Sequence, residues 1–355
     1  MNLGTDKGPD KGATTLQRLK GLIQRHPKKL LILILLLIAY YFCLPKQLFR
    51  TPHATVVESR SGKLLGALIA EDGQWRFPVV DSVPYKFETC ILNFEDAHFY
   101  WHPGFNPISI SKAFLANILA GKTVRGGSTL TQQVIRLSRN HKKRTYWEKV
   151  RELVLATRLE LGYSKKYILK LYASHAPFGG NVVGLEAAAW RYFGMQPNQL
   201  SWAEAATLAV LPNAPSLIYP GKNHSKLLYK RNRLLHKLLD NNYIDSTTYR
   251  LSLLEELPKK PFQLPDTAPH LVQYLAKKYK GKRISTHVDE NLQGSINNII
   301  NKHYKSLKQN QVYNAAVLLM DVKTREVLSY VGNTPTDNEH EKDVDMVQAN
   351  RSTGS

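Results

Sequence analysis

Gly126-Gly127-Ser128-Thr129-Leu130-Thr131-Gln132-Gln133 is the stretch on which the reading of this chain turns. Two glycines let a ligand approach the backbone closely, and the Ser/Thr-rich residues after them open a helix. Such a start presents unpaired N–H groups and a positive dipole end, which together cradle an anion. It is no Walker loop, because the Gly-Lys-Ser/Thr ending is missing. The plainer alternative is an ordinary loop in which Ser128 caps the helix.

Upstream lies Glu95-Asp96-Ala97-His98-Phe99-Tyr100-Trp101-His102-Pro103-Gly104. A carboxylate beside aromatics can be desolvated, which raises its pKa and suits it to general-base work. The alternative is a surface Glu-Asp pair before a turn. Downstream runs Arg144-Thr145-Tyr146-Trp147-Glu148-Lys149-Val150-Arg151-Glu152, continuing to Leu159-Glu160. Residues 121–170 hold 13 Lys and Arg against 3 Glu. That excess is either a solvated basic face or a set of fixed cations around one carboxylate, as a pyrophosphate needs. Tyr192-Phe193-Gly194 by itself reads as core aromatics before a helix end.

Beyond these clusters the chain divides by composition. Residues 1–29 carry seven basic and two acidic residues. Leu30–Leu44 is then an unbroken apolar run of 15, covering ~22 Å as a helix against a ~30 Å hydrocarbon core. Snorkelling Lys28, Lys29 and Lys46, with Tyr40 and Tyr41, can make up the difference. No small-x-small cleavage site follows, and the run has no polar face. The expectation is therefore an uncleaved single-pass anchor over 30–45, with a basic tail (1–29) in the cytoplasm and everything after Lys46 outside. Residues 47–85 read as short strands. The span Phe87–Tyr249 reads as helices, with Ser201 and Glu204 forming a capping box before Trp202. A Pro-rich linker is expected within 251–270, then strands at Ile284–Asp289 and a hairpin over Ala315–Val331. The 43% hydrophobic content supports a real core and excludes wholesale disorder. Two cysteines, Cys43 and Cys90, exclude a disulfide scaffold or a multi-cysteine zinc module. The net charge of +21 calls for a polyanionic partner: nucleic acid, an anionic membrane or a phosphorylated substrate.

Taken in order, the motifs resemble those of the peptidoglycan glycosyltransferases of class A (bifunctional) penicillin-binding proteins. Glu95, Asp96, Phe99, His102 and Gly104 meet the family's first motif, and Gly126–Gln133 meets its Gly-Gly-Ser-Thr-x-Thr-Gln-Gln in full. Lys149 and Glu152 match Lys-x-x-Glu, followed by Ser164-Lys165 and Ile168-Leu169. Tyr192–Gly194 match Tyr-Phe-Gly, and Lys230-Arg231-Asn232-Arg233 is similar to the late basic helix. Ala176–Gly180 resembles the type 1C branch. There are departures: Asn106 and Lys112 stand where the family has Asp and Arg, and Ser174 where it has Asn.

The resemblance implies a mainly α, lysozyme-like lobe (50–250) after the anchor, working on lipid II and the growing glycan strand at the inner membrane, on its periplasmic side. Glu95 is then the general base and Glu152 the second catalytic carboxylate, near the departing pyrophosphate with Mg2+ or another divalent cation. Arg136, Arg144 and Lys149 neutralise phosphates. Ser128, Gln133, Asp96 and His102 hold substrate. No organic cofactor is implied, further cell-wall synthesis proteins are partners to expect, and nucleic acid is not. Competing readings are a lytic transglycosylase or lysozyme-like hydrolase, a nucleic-acid-binding module, and a non-catalytic scaffold with a decayed site.

At the other end, Ala315–Asp321 and Glu326–Gly332 resemble the first hairpin of the penicillin-binding transpeptidase domain. Arg351-Ser352-Thr353-Gly354-Ser355 matches the lead into its Ser-x-x-Lys nucleophile motif, which places that nucleophile at Ser355. The Lys three residues on is not in this sequence. The expectation is a truncated, incomplete α+β start of that domain over 271–355, without transpeptidase activity and poorly ordered after about 270.

Overall fold

The structure is a computed structural model that describes residues 27–79, 82–122, 126–139 and 145–349. Helix α1 (Pro27–Phe42) is apolar all round from Leu30 onward and buries none of its residues. At 1.5 Å per residue its 16 residues span ~24 Å, less than a ~30 Å hydrocarbon core. Among the described residues no helix is long and apolar enough to cross a membrane. The transmembrane helix expected over 30–45 is thus not shown; helix geometry ends at Phe42, three residues before Pro45.

Strand β1 (Thr55–Glu58) pairs antiparallel with β2 (Leu64–Leu68). Side chains alternate across a strand, and this alternation organises the molecule. Val56 and Leu64 point into the main helical core, whereas Val57 and Leu65 point into a second cluster.

The helical core is centred on α8 (Trp202–Val210), whose residues from Ala203 to Val210, Glu204 apart, are buried. Its alanines let neighbours approach closely. The expected capping box is present: Ser201 Oγ accepts from Glu204 N at 3.1 Å, and Ser201 N donates to Glu204 Oε2 at 2.8 Å. Helices α2 (Tyr85–Glu95) and α9 (His224–Asp240) pack on α8. A second group joins α4 (Leu130–Ser138) to α5 (Tyr146–Gly162) and α6 (Lys165–His175). The lobe also holds α3 (Pro107–Ala120), a small sheet of β3 (Trp75–Arg76), β4 (Pro177–Gly179) and β5 (Val182–Val183), and α7 (Leu185–Phe193), which packs on both α6 and α8. Two caps refine the sequence reading. Thr129, not Ser128, caps α4, accepting from Gln132 N at 3.2 Å, and Asn106 caps α3, accepting from Ser109 N at 3.0 Å. Asn at 106 therefore keeps a role a short polar side chain can play there.

The described part of the segment after 270, residues 271–349, is folded onto the lobe rather than poorly ordered. Helix α10 (Ser246–Leu254) occupies the start of the expected linker, and Thr267 N then donates to Leu65 O at 2.9 Å. Helix α11 (Pro269–Lys278) lies against β2, and β6 (Arg283–Ser285) extends the sheet parallel to β1. Helix α12 (Glu290–Gln309), which the sequence reading missed, packs on β8 (Val327–Val331), the partner of β7 (Val317–Met320) in the expected hairpin. Leu271, Val272, Val288 and Tyr330 cover Val57 and Leu65. The sheet's second face supplies the apolar surface that the expectation of disorder had assumed absent. Arg283 adds a fork between Glu58 of β1 and Glu186 of α7, the latter reached at 2.9 Å.

Candidate active site

Helix α2 ends on Glu95, and Asp96 follows as its C-cap in an extended conformation that no longer propagates the helix. The adjacent carboxylates consequently part company. Asp96 is buried and accepts from His102 Nε2 at 2.9 Å and from the Leu130 backbone N–H at 3.0 Å. It thereby satisfies one of the free N–H groups at the start of α4. His102 accepts in turn from Gly104 N at 3.2 Å through Nδ1. Asp96 and His102 were expected to hold substrate; their hydrogen bonds tie the end of α2 to the start of α4, and Asp96 also lines the cleft beside Glu95. Gly104 has φ +89°, and a Cβ there would meet Ala156 O at 2.8 Å. Gly104→Ala is therefore expected to destabilise the chain by about 1–3 kcal/mol, read as a lowered urea midpoint.

Glu95 faces a cleft of about 630 Å³ whose wall also includes Ser128, Gln133 and Arg136. Its Oε2 accepts from Gln133 Nε2 at 2.8 Å. Burial pushes its pKa above the usual carboxylate range; the Gln133 and Asn213 amides and the Lys230 ammonium oppose that shift, and Asp96 adds to it. Asn213 comes from the Leu211–Asn213 turn after α8, and Lys230 Nζ donates to its Oδ1 at 2.7 Å. The sequence reading missed Asn213. The Pro212 turn signal was visible, but only the fold shows that the turn faces Glu95.

The other wall is cationic. Ser128 Oγ accepts from Lys149 Nζ at 2.7 Å and from Arg136 Nη2 at 3.2 Å. Behind it Glu152 is buried, its two oxygens accepting from Arg136 Nε and Nη2 at 3.0 and 3.2 Å, with Lys149 Nζ 3.6 Å away. Glu152, expected as a catalytic carboxylate, thus holds two cations in place with both oxygens engaged. Lys149 also donates to Gln132 Oε1 at 2.9 Å. Below, Lys165 Nζ donates to His102 O at 2.6 Å and Glu160 Oε1 at 2.7 Å, bracing the loop that carries His102. Of the late basic helix, Arg231 is buried and donates to Glu255 O, a structural role, whereas Lys230 faces the site. Lys112, one of the departures, lies on the cleft wall. Arg144 and Ser355 lie outside the described residues.

A divalent cation was expected beside Glu152. Among the described residues no three His, Cys, Asp or Glu side chains cluster to hold a metal ion, and Arg136 engages both Glu152 oxygens. The residues do not fit a protein-held cation.

What remains is one carboxylate with a raised pKa across a cleft from fixed cations. That arrangement can remove a proton from a bound hydroxyl while a negatively charged group departs on the far side.

The transglycosylase family model matches residues 61–239. Penicillin-binding protein 1C of Escherichia coli (strain K12) is 35% identical over 313 residues, covering 88% of this chain and 40% of that protein. Penicillin-binding protein 1A of Aquifex aeolicus is 35% identical over 234 residues, covering 64% of this chain and 31% of that one. Penicillin-binding protein 1B of Haemophilus influenzae is 30% identical over 306 residues, covering 79% and 39%. The chain spans well under half the length of these relatives.

Proposed function

Because the chain belongs to the transglycosylase family, we propose that it is a peptidoglycan glycosyltransferase that polymerises lipid II into glycan strands for the cell wall. One observation carries this reading: Glu95 shares its cleft with Ser128 and Arg136, which Lys149 and Glu152 join through hydrogen bonds and ion pairs. Glu95 takes the proton of the acceptor's GlcNAc 4-hydroxyl. That oxygen attacks the anomeric carbon of the donor from the opposite face, forming the new glycosidic bond with inversion. The bond from the anomeric carbon to the pyrophosphate oxygen breaks, and undecaprenyl pyrophosphate leaves with the electron pair. Arg136 and Lys149 stabilise the charge that develops on the leaving group, while Ser128 and Gln133 orient donor and base. A lytic enzyme expels a sugar hydroxyl and needs no such cations.

A polyprenyl substrate is met only at a membrane. Helix α1 offers an exposed apolar surface, and Leu115 and Leu119 of α3 and Trp147 of α5 are exposed as well. Tyr40 Oη donates to Thr157 Oγ1 at 3.0 Å, and Arg158 Nε to Tyr41 O at 3.0 Å, which joins α1 to α5. We place these surfaces in the bilayer, with α1 as part of the anchor in the inner membrane and the catalytic lobe on the periplasmic side.

The test is polymerisation of labelled lipid II by the full chain, resolved on a gel. Lys149→Ala and Arg136→Ala are each expected to lower turnover at least about tenfold, the loss of one charge-assisted contact to the leaving group. Arg136→Ala is the more damaging, since it also strands Glu152. Release of free reducing sugars from cell wall, with no polymer formed, would establish the lytic reading instead.

A further inference from the structure

Two polar atoms beside the site are buried without a hydrogen-bond partner: Glu95 Oε1 and the phenol oxygen of Tyr172. One is an acceptor and the other a donor when protonated. Tyr172 sits on α6, 1% exposed, and lies within reach of the Glu95 charge. Burial, then that charge, pushes the phenol well above its usual range, so it stays protonated and keeps its hydrogen to give. Glu95 Oε2 already has Gln133 as donor. The groups that face Glu95 are Asp96 beyond the end of its own helix, the Gln133 amide from α4, the Asn213 amide, the Lys230 ammonium from α9 and the Tyr172 phenol from α6. Of these, Tyr172 is the one whose own hydrogen-bonding capacity is wholly unspent among the described residues.

We propose that Tyr172 is a positioning residue for the catalytic base, its phenol donating a hydrogen bond to Glu95 Oε1 when the carboxylate is charged. This deepens the reading of Glu95 as general base and rests on it. The bond holds the carboxylate's orientation while Oε2 works, and it favours the charged form against the cost of burial. Nothing is transferred: the phenol keeps its proton throughout, and the proton taken from the acceptor hydroxyl resides on Glu95.

Tyr172→Phe removes the donor and little else. A general base must be charged, so the rate rises with pH through its pKa. Losing a donor to the charged form raises that pKa and moves the rising limb of kcat/KM to higher pH. The expected shift is about one pH unit, which gives about tenfold slower turnover below the limb and a near wild-type rate well above it. A merely structural residue would lower the rate at every pH. The Glu95 carboxyl is titrated in parallel by 13C NMR on the full chain in detergent, a readout independent of turnover. An upward shift there supports the proposal even if Glu95→Gln proves active, in which case the general-base reading fails alone. An unmoved carboxyl titration with an unmoved limb overturns the proposal. If Tyr172→Phe does not fold, Tyr172→3-fluorotyrosine decides: its more acidic phenol is a better donor, and the Glu95 titration must move down.

Discussion

Glu95→Gln is expected to reduce glycan synthesis by ~10²–10⁴-fold, the usual worth of a general base. The substitution keeps the side chain's shape, and its amide oxygen still accepts from Gln133. It removes only the capacity to take a proton. Stability should not fall, because burial disfavours the charge that is being removed. A folded and inactive variant is therefore the expected result, measured as polymer per enzyme against urea midpoint. The pH profile supplies a second check. Burial raises the Glu95 pKa, so the wild-type rate should begin its climb above the ~4.3 of an ordinary Glu. Unchanged polymer from Glu95→Gln sinks the assignment of the base.

How much of this was legible beforehand differs from element to element. The capping box at Ser201 and the helix it opens are local facts, and the sequence declares them. So is the hairpin of β7 and β8, where Asp321 Oδ1 accepts from the Lys323 and Thr324 N–H groups to close the turn. Helix α12 was missed because Asn, Lys and Gln dilute its apolar stripe. The order of the segment after 270 was missed for a different reason. It depends on Val57 and Leu65 turning away from the helical core, and the destination of a strand's second face is not written in the strand. In the site, Glu95, Gln133, Ser128 and Arg136 were recognised and do converge. The hydrogen bonds that Asp96 and His102 make between α2 and α4 were not foreseen, because a carboxylate's partners are set by whatever donors the fold brings to it.

Asp96 shows the consequence most plainly, and Asp96→Ala carries the second large expected effect. The substitution strips acceptors from two buried donors at once, His102 Nε2 and Leu130 N. A buried donor left unsatisfied costs about 1–3 kcal/mol, and two are stranded here. A loss of about 2–6 kcal/mol in unfolding free energy is therefore expected. Asp96→Asn should cost less, since one amide oxygen can still accept from Leu130 N while its NH2 offers nothing to a donor. Activity should fall with stability, for a geometric reason. Glu95 is the residue before Asp96, and Gln133 lies one helical turn beyond Leu130, so the Asp96 carboxylate sets the distance between the base and the amide that orients it. Polymerisation and urea midpoint measured together on both variants check this. Losses below about 1 kcal/mol for Asp96→Ala, or an equal effect of Asn and Ala, would mean that the α2 to α4 junction is held by something other than this carboxylate.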